Sequence, residues 1–221
     1  MNWNTHSNLK GKHALFSPST YHWINYDPVE SADVIFQRYK AQYASTIGTL
    51  LHEYAEKRIR YGAKMETTVA AKKQAKSDIR IMLLESGIPM SVIDIDSQFE
   101  NLISYINDGV GFRMDPEVIL WYSDNFFGTT DAIYFRDKEL RIHDYKSGKI
   151  PAHMEQLEIY AALFCLEYSH KPSDIQINLR LYQGDEIIEH TPDPKDIGDI
   201  MKTIVDIDKM INKWKAGDRI A

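Results

Sequence analysis

FGTTDAIYFRDKELRIHDYKSGK, Phe127–Lys149, is the stretch around which this 221-residue chain is organised. Two runs rich in β-branched and aromatic residues, 125–136 and 139–146, flank the polar pair Asp137-Lys138. That is the pattern of a β-hairpin closed by a tight turn. With the turn centred between 137 and 138, facing positions sum to 275, so Arg136 faces Glu139 and Asp131 faces Asp144. Directly opposed residues project to one side, with Cβ atoms roughly 4.5–5.5 Å apart, and two carboxylates that close repel unless a positive group lies between them. A divalent cation fits that need. Side-chain alternation puts Lys146 on the side of Asp144 and turns Tyr145 away. All of this requires an even-numbered loop, since a three-residue turn would throw Asp131 to the opposite face.

Upstream, residues 1–14 carry no pattern and read as a mobile lead-in. Ser17-Pro18 reads as N-cap and first position of a short helix through Tyr21, Trp23 and Ile24, whose aromatics are expected in the core. A second short helix is expected over 31–43. Ser45 or Thr46 would then cap a third, 46–61, on which Gly48, His52 and Glu56 follow one another at i, i+4 on one face. Glu53 and Glu56 have no assigned role. Helical spacing recurs over 66–86 and 96–112, and residues 63–112 are expected as a helical insertion arching over the hairpin end. Glu117–Tyr122 reads as the first strand; Glu117 itself is taken as an ordinary strand-edge residue in preference to a further acid of the site. Ser147-Gly148-Lys149 and Pro151 form a turn, a helix covers 153–169, strands cover 174–182 and 185–190, and a last helix covers 195–215. On the 153–169 helix, Gln156 and Tyr160 share a face. Trp214 and its flanking lysines are left without a role.

Four short patterns occur in order: Gly48-Thr-Leu-Leu-His52, Gly128-Thr-Thr-Asp131, Asp144-Tyr-Lys-Ser-Gly148, and Gln156 with Tyr160. Together they resemble the PD-(D/E)XK nuclease superfamily in its RecB-like, phage-type exonuclease branch, over about 40–160, with Leu15–Trp23 similar to a leading helix of such nucleases. The resemblance implies one α/β (α+β) domain over 1–221, a restriction-endonuclease-like core with a central mixed sheet flanked by helices. It implies a metal-dependent DNA exonuclease of recombination or end processing, with a structure-specific endonuclease or a non-catalytic nucleic-acid-binding subunit as alternatives. Asp131, Asp144 and Lys146 would be catalytic. His52, Asp131, Asp144 and the carbonyl of Tyr145 would hold one or two Mg²⁺ or Mn²⁺ ions, and Gln156 and Tyr160 would contact DNA. DNA is the implied partner, with a single-strand annealing protein or a helicase beside it. Whether Lys146 acts as a base or by charge alone stays open.

Composition narrows the class further. The single cysteine, Cys165, permits no internal disulfide and cannot supply the four thiolates of the iron–sulfur cluster found in some RecB-like nucleases, so no cluster is expected. The formal net charge of −6 argues against indiscriminate coating of nucleic acid. One segment departs from that balance: Lys57, Arg58, Arg60, Lys64, Lys72, Lys73, Lys76 and Arg80 stand against Glu66 and Asp78, and Lys72, Lys73 and Lys76 are candidate phosphate contacts. There is no apolar run of membrane-spanning length, no signal pattern and no P-loop. The expected setting is the cytoplasm, of a bacterial or phage-infected cell as the resemblance implies, with no membrane partner.

Overall fold

The computed structural model describes residues 4–9, 12, 14–97, 99–148 and 152–217. Lys149 and Pro151 of the expected turn, and part of the 1–14 lead-in, lie outside the described residues. The chain divides into two compact units, Met1–Ile47 and Gly48–Ala221.

In the first unit the expected helix at Ser17-Pro18 is a 3-10 helix, Pro18–Asn25, broken at Thr20. Ser17 does not cap it through its side chain; its carbonyl instead accepts the indole N–H of Trp23 at 2.9 Å. The aromatic core expected here does not form, since Tyr21 is 63% exposed. The two helices expected over 31–43 and 46–61 are one, α1, Ala32–Arg60. Ser45 and Thr46 sit in its interior. Neither glycine nor proline occurs between 32 and 47, and serine or threonine alone disfavours a helix too weakly to end one.

The second unit is built on a five-stranded mixed sheet in the order β1-β2-β3-β4-β5: Asp115–Ser123, Phe126–Arg136, Glu139–Lys146, Gln176–Gln183 and Glu186–His190. Only β3 and β4 run parallel. The β2–β3 turn is the two-residue kind: Asp137 and Lys138 both take positive φ, 50° and 65°, as a type I′ turn requires. Observed pairs from Arg136↔Glu139 to Ala132↔His143 therefore keep the expected sum, which carried one step beyond the last pair sets Asp131 level with Asp144.

Helix α4, Glu155–Glu167, makes the crossover from β3 to β4, and α5, Pro194–Lys215, starts on Asp193, whose carboxylate accepts from Lys195 N–H at 2.8 Å. Both pack on one face of the sheet, where Leu120, Ile133, Leu140, Ile142, Leu157, Phe164, Ile177, Leu179 and Ile204 form the core. Cys165 lies in it, and burial pushes its thiol up to about 11, consistent with an inert packing role. Two more helices complete the unit, α2, Val69–Glu85, and α3, Phe99–Gly111. Within 63–112, expected as an arching insertion, α3 belongs to the core. Its Tyr105 ring meets those of Tyr145 and Tyr182 on β3 and β4, and Asn101 holds the carbonyls of Gly184 and Glu186 at 2.8 and 2.9 Å.

Candidate metal centre

The chemistry gathers where β3 ends. Period-two alternation carries Asp144 and Lys146 on from Leu140 and Ile142. Lys146 Nζ lies 3.0 Å from each oxygen of Asp144, whose side chain is 3% exposed. Next to this ion pair the Asp131 carboxylate accepts the backbone N–H of Tyr145 at 2.9 Å, continuing the pairing of β2 with β3 through a side chain. Asp131 Oδ2 is also 3.4 Å from His52 Nδ1, and His52 reaches the Tyr145 backbone as well. Two residues distant in sequence, His52 on α1 and Asp131 on β2, thus converge on the end of β3.

Glu117 completes the cluster, and here the sequence reading is corrected. One ligand atom each from His52, Glu117 and Asp131 lie within 4.8 Å of one another. Turn arithmetic misses this: the connection at Asp124-Asn125 pairs Ser123 with Phe126, which would set Glu117 against Ala132. A bulge between Trp121 and Ser123 shifts the register by one, so the pairs further along sum to 248 and Glu117 comes opposite Asp131. Glu117 also holds a φ of 55°, a left-handed conformation costly for a side chain with a Cβ and met most often where function demands it.

Electrostatics favour a guest cation. Burial, then the neighbouring Asp144, raises the Asp131 carboxyl well above the usual carboxylate range. Burial and Glu56 raise Glu117 in the same direction. His52 moves down, chiefly by burial, which keeps its imidazole neutral and its lone pair available. A cavity of about 550 Å³, lined by Gly48, Thr49, His52, Glu53, Glu56, Glu117 and Asp131, opens onto these groups. One nitrogen and two carboxylates around a cavity fit a hard or borderline divalent ion. The three residues could therefore hold a metal ion.

The remaining expected residues fall in two sets. Around the centre, two glycines explain themselves by contact. A Cβ at Gly48 would stand 3.1 Å from Ser147 Oγ, just past Lys146, and one at Gly128 would stand 2.9 Å from the Tyr160 ring. The Gly128 and Tyr160 motifs are thus two halves of one packing contact. Gln156 Nε2 donates to Tyr160 Oη at 3.4 Å. Burial raises the Tyr160 hydroxyl, with Asp131 and Asp144 adding to it, so α4 brings that ring into the field of the cluster. The basic segment behaves differently. Lys72 pairs with Glu100 at 2.6 Å, while Lys76 and Arg80 share Asp96 at 2.8 and 2.7 Å, so these cations tie α2 to α3 and the turn before it. Lys73 is exposed on α2, and Glu56 is paired with Arg60 at 2.8 Å.

What the fold defines is an α/β protein with a His/Glu/Asp cluster able to hold a metal at one end of its sheet. The chain belongs to the DUF2800 family, described as proteins of unknown function, whose model matches residues 13–183. That span takes in every residue of the cluster, the Asp144–Lys146 pair and the Gln156–Tyr160 pair, and stops at the last residue of β4. No curated protein and no solved structure matches the chain. Among the described residues no helix is long and apolar enough to cross a membrane.

Proposed function

We propose that this protein is a metal-dependent deoxyribonuclease of the PD-(D/E)XK class, resembling its RecB-like exonucleases, acting on DNA ends in recombination or end processing. The observation that supports this best is the placing of Asp131 between His52, 3.4 Å away, and the hairpin strand that ends in the Asp144–Lys146 ion pair. A phosphodiester is an anionic, poor electrophile. A Mg²⁺ or Mn²⁺ ion held by His52, Glu117 and Asp131, with Asp144 and the Tyr145 carbonyl adjacent, would neutralise phosphoryl charge and lower the pKa of a bound water.

The chain's own groups supply the rest. Asp144 aims the Lys146 ammonium, which stands ready to stabilise charge on the phosphoryl oxygens. Neutral His52 and the paired carboxylates draw cationic, not anionic, groups into the cavity, so DNA phosphate approaches only with its metal. Tyr160, braced against Gly128 and hydrogen-bonded by Gln156, lies where it can align the strand.

The test is degradation of end-labelled linear DNA against a closed circle, in Mn²⁺, Mg²⁺ or chelator, with wild type and Lys146→Ala. Metal-dependent loss of the linear form alone, abolished by the substitution, is the expected result. Cutting of the circle would make it an endonuclease. Binding of DNA with no cleavage in either metal would replace the reading by a binding subunit.

A further inference from the structure

The β1–β2 strand pair continues past the cluster into an apolar strip that the helices do not cover. Four residues along each strand from Glu117 and Asp131, Trp121 pairs with Phe127, with Ile119↔Thr129 between. Exposure alternates along the two strands, with Glu117, Ile119, Trp121, Phe127 and Thr129 exposed and Leu120 and Thr130 buried, so the strip lies on the side of Glu117. Trp121, Phe127 and Ile119 are 50%, 63% and 60% exposed. The intervening Leu120 is buried against the α4–α5 core.

Exposed aromatic and aliphatic surface on adjacent strands is costly in water unless something covers it. Strand addition at this edge is obstructed, because the Trp121 N–H already donates to the Glu167 carboxylate at 2.8 Å, and Pro116 offers no donor. The strip itself carries no cation, so it suits flat, uncharged faces better than phosphates. At its far end Lys215 Nζ is tethered to Asn125 Oδ1 at 2.7 Å, beside the acids Asp124 and Asp208.

We propose that Trp121 and Phe127 form a stacking platform for the bases of unpaired nucleic acid whose phosphate lies at the His52–Glu117–Asp131 cluster. The separation, four residues at ~3.4 Å each, is about 14 Å. That is about four steps of a stacked strand at ~3.4 Å per nucleotide. Aromatic platforms accept any base, because every base has a π-face. The inference rests on the nuclease reading and deepens it: the preferred substrate has at least several unpaired nucleotides beside the cut.

The experiment is binding of fluorescein-labelled oligodeoxythymidine and of a blunt duplex in chelator, with parallel cleavage in Mn²⁺, for wild type, Trp121→Ala, Phe127→Ala and Trp121→Phe. Each alanine should weaken oligothymidine binding by about 5- to 150-fold, leave the blunt duplex nearly unchanged, and be largely rescued by phenylalanine. Sedimentation and melting of each variant accompany the titrations. Photo-crosslinking of an iodouridine-bearing oligonucleotide to the wild-type protein, mapped by mass spectrometry, reads the same contact without substitution, and should fall on Trp121 or Phe127. Cleavage in Mn²⁺ with unchanged oligothymidine affinity in both alanine variants and cross-links elsewhere would overturn the platform alone. Neither cleavage nor binding by the wild type would overturn the nuclease reading with it. A dimer that Trp121→Ala dissociates would instead assign the strip to a second copy.

Discussion

Two histidines, half-buried His52 and buried His143, lie in the same unit, and their surroundings differ in a way that separates a candidate centre from a structural network. Burial lowers both, His143 to about 3 with Arg180 and Arg141 adding to it. His143 Nδ1 meets the Tyr182 hydroxyl at 3.2 Å, that hydroxyl donates to Asp108 Oδ2 at 2.6 Å, and Arg180 closes on Asp108 and Glu189. Arg141 lies over the Phe112 ring and pairs with Glu139. A cavity of about 240 Å³ borders these groups, yet acids and bases there answer one another. At His52 the neighbours are carboxylates with one ammonium already committed to Asp144. A network whose charges are answered stabilises a fold; one left with surplus acid invites a cation.

The widest gap between the two regions should appear in cleavage. Lys146→Ala is expected to slow metal-dependent cleavage by about 10²- to 10⁴-fold, the usual scale for a lost acid–base or charge-stabilising group. Tyr182→Phe should leave it within a few-fold when both are assayed on the same linear DNA. Equal losses in the two variants would erase the distinction. Stability should reverse the order: Asp108→Ala strips Arg180 and Tyr182 of a shared acceptor and should cost about 1–2 kcal/mol in urea unfolding. His52→Ala should cost far less.

A third contrast is in pH. The Asp131 carboxyl is raised in the fold, so its neutral form is the favoured one; the stability it contributes is fully present below its unfolded value, near ~3.9, and is lost as pH rises through the folded value. Without metal, wild type should therefore lose stability relative to Asp131→Asn as pH climbs from ~4 to about 8, with no further loss above that, and Mn²⁺ should restore wild type alone. Parallel melting curves for the two proteins across that range would remove Asp131 from the centre. The smallest effect is expected from Gly128→Ala, whose Cβ would press on the Tyr160 ring: about 1 kcal/mol of stability, with a larger relative loss of DNA binding than of metal binding.

Local chemistry was enough for much of this. A two-residue turn between β-rich runs sets its own register, because backbone twist admits few alternatives, and from it followed the level placing of Asp131 and Asp144. The last helix, expected over 195–215, is found at Pro194–Lys215. Single-residue signals at a distance were weaker guides. Of the first aromatics, Tyr21 lies exposed while Trp23 is half-buried with its ring edge-on to Phe16. Ser45-Thr46 failed to break α1, since capping residues end helices only where the chain must turn.

The sequence by itself determined the hairpin, its pairing and the spacing of the histidine, carboxylate and lysine motifs, all consequences of short-range backbone geometry. Only the tertiary structure decided that Glu117 joins the cluster and that Lys72 and Lys76 are spent on Glu100 and Asp96. The first depends on a one-residue bulge in a neighbouring strand, the second on where two helices lie against each other. Neither leaves a local trace, because a register shift or an ion pair costs or yields only a kcal/mol or so and is settled by the packing of everything around it.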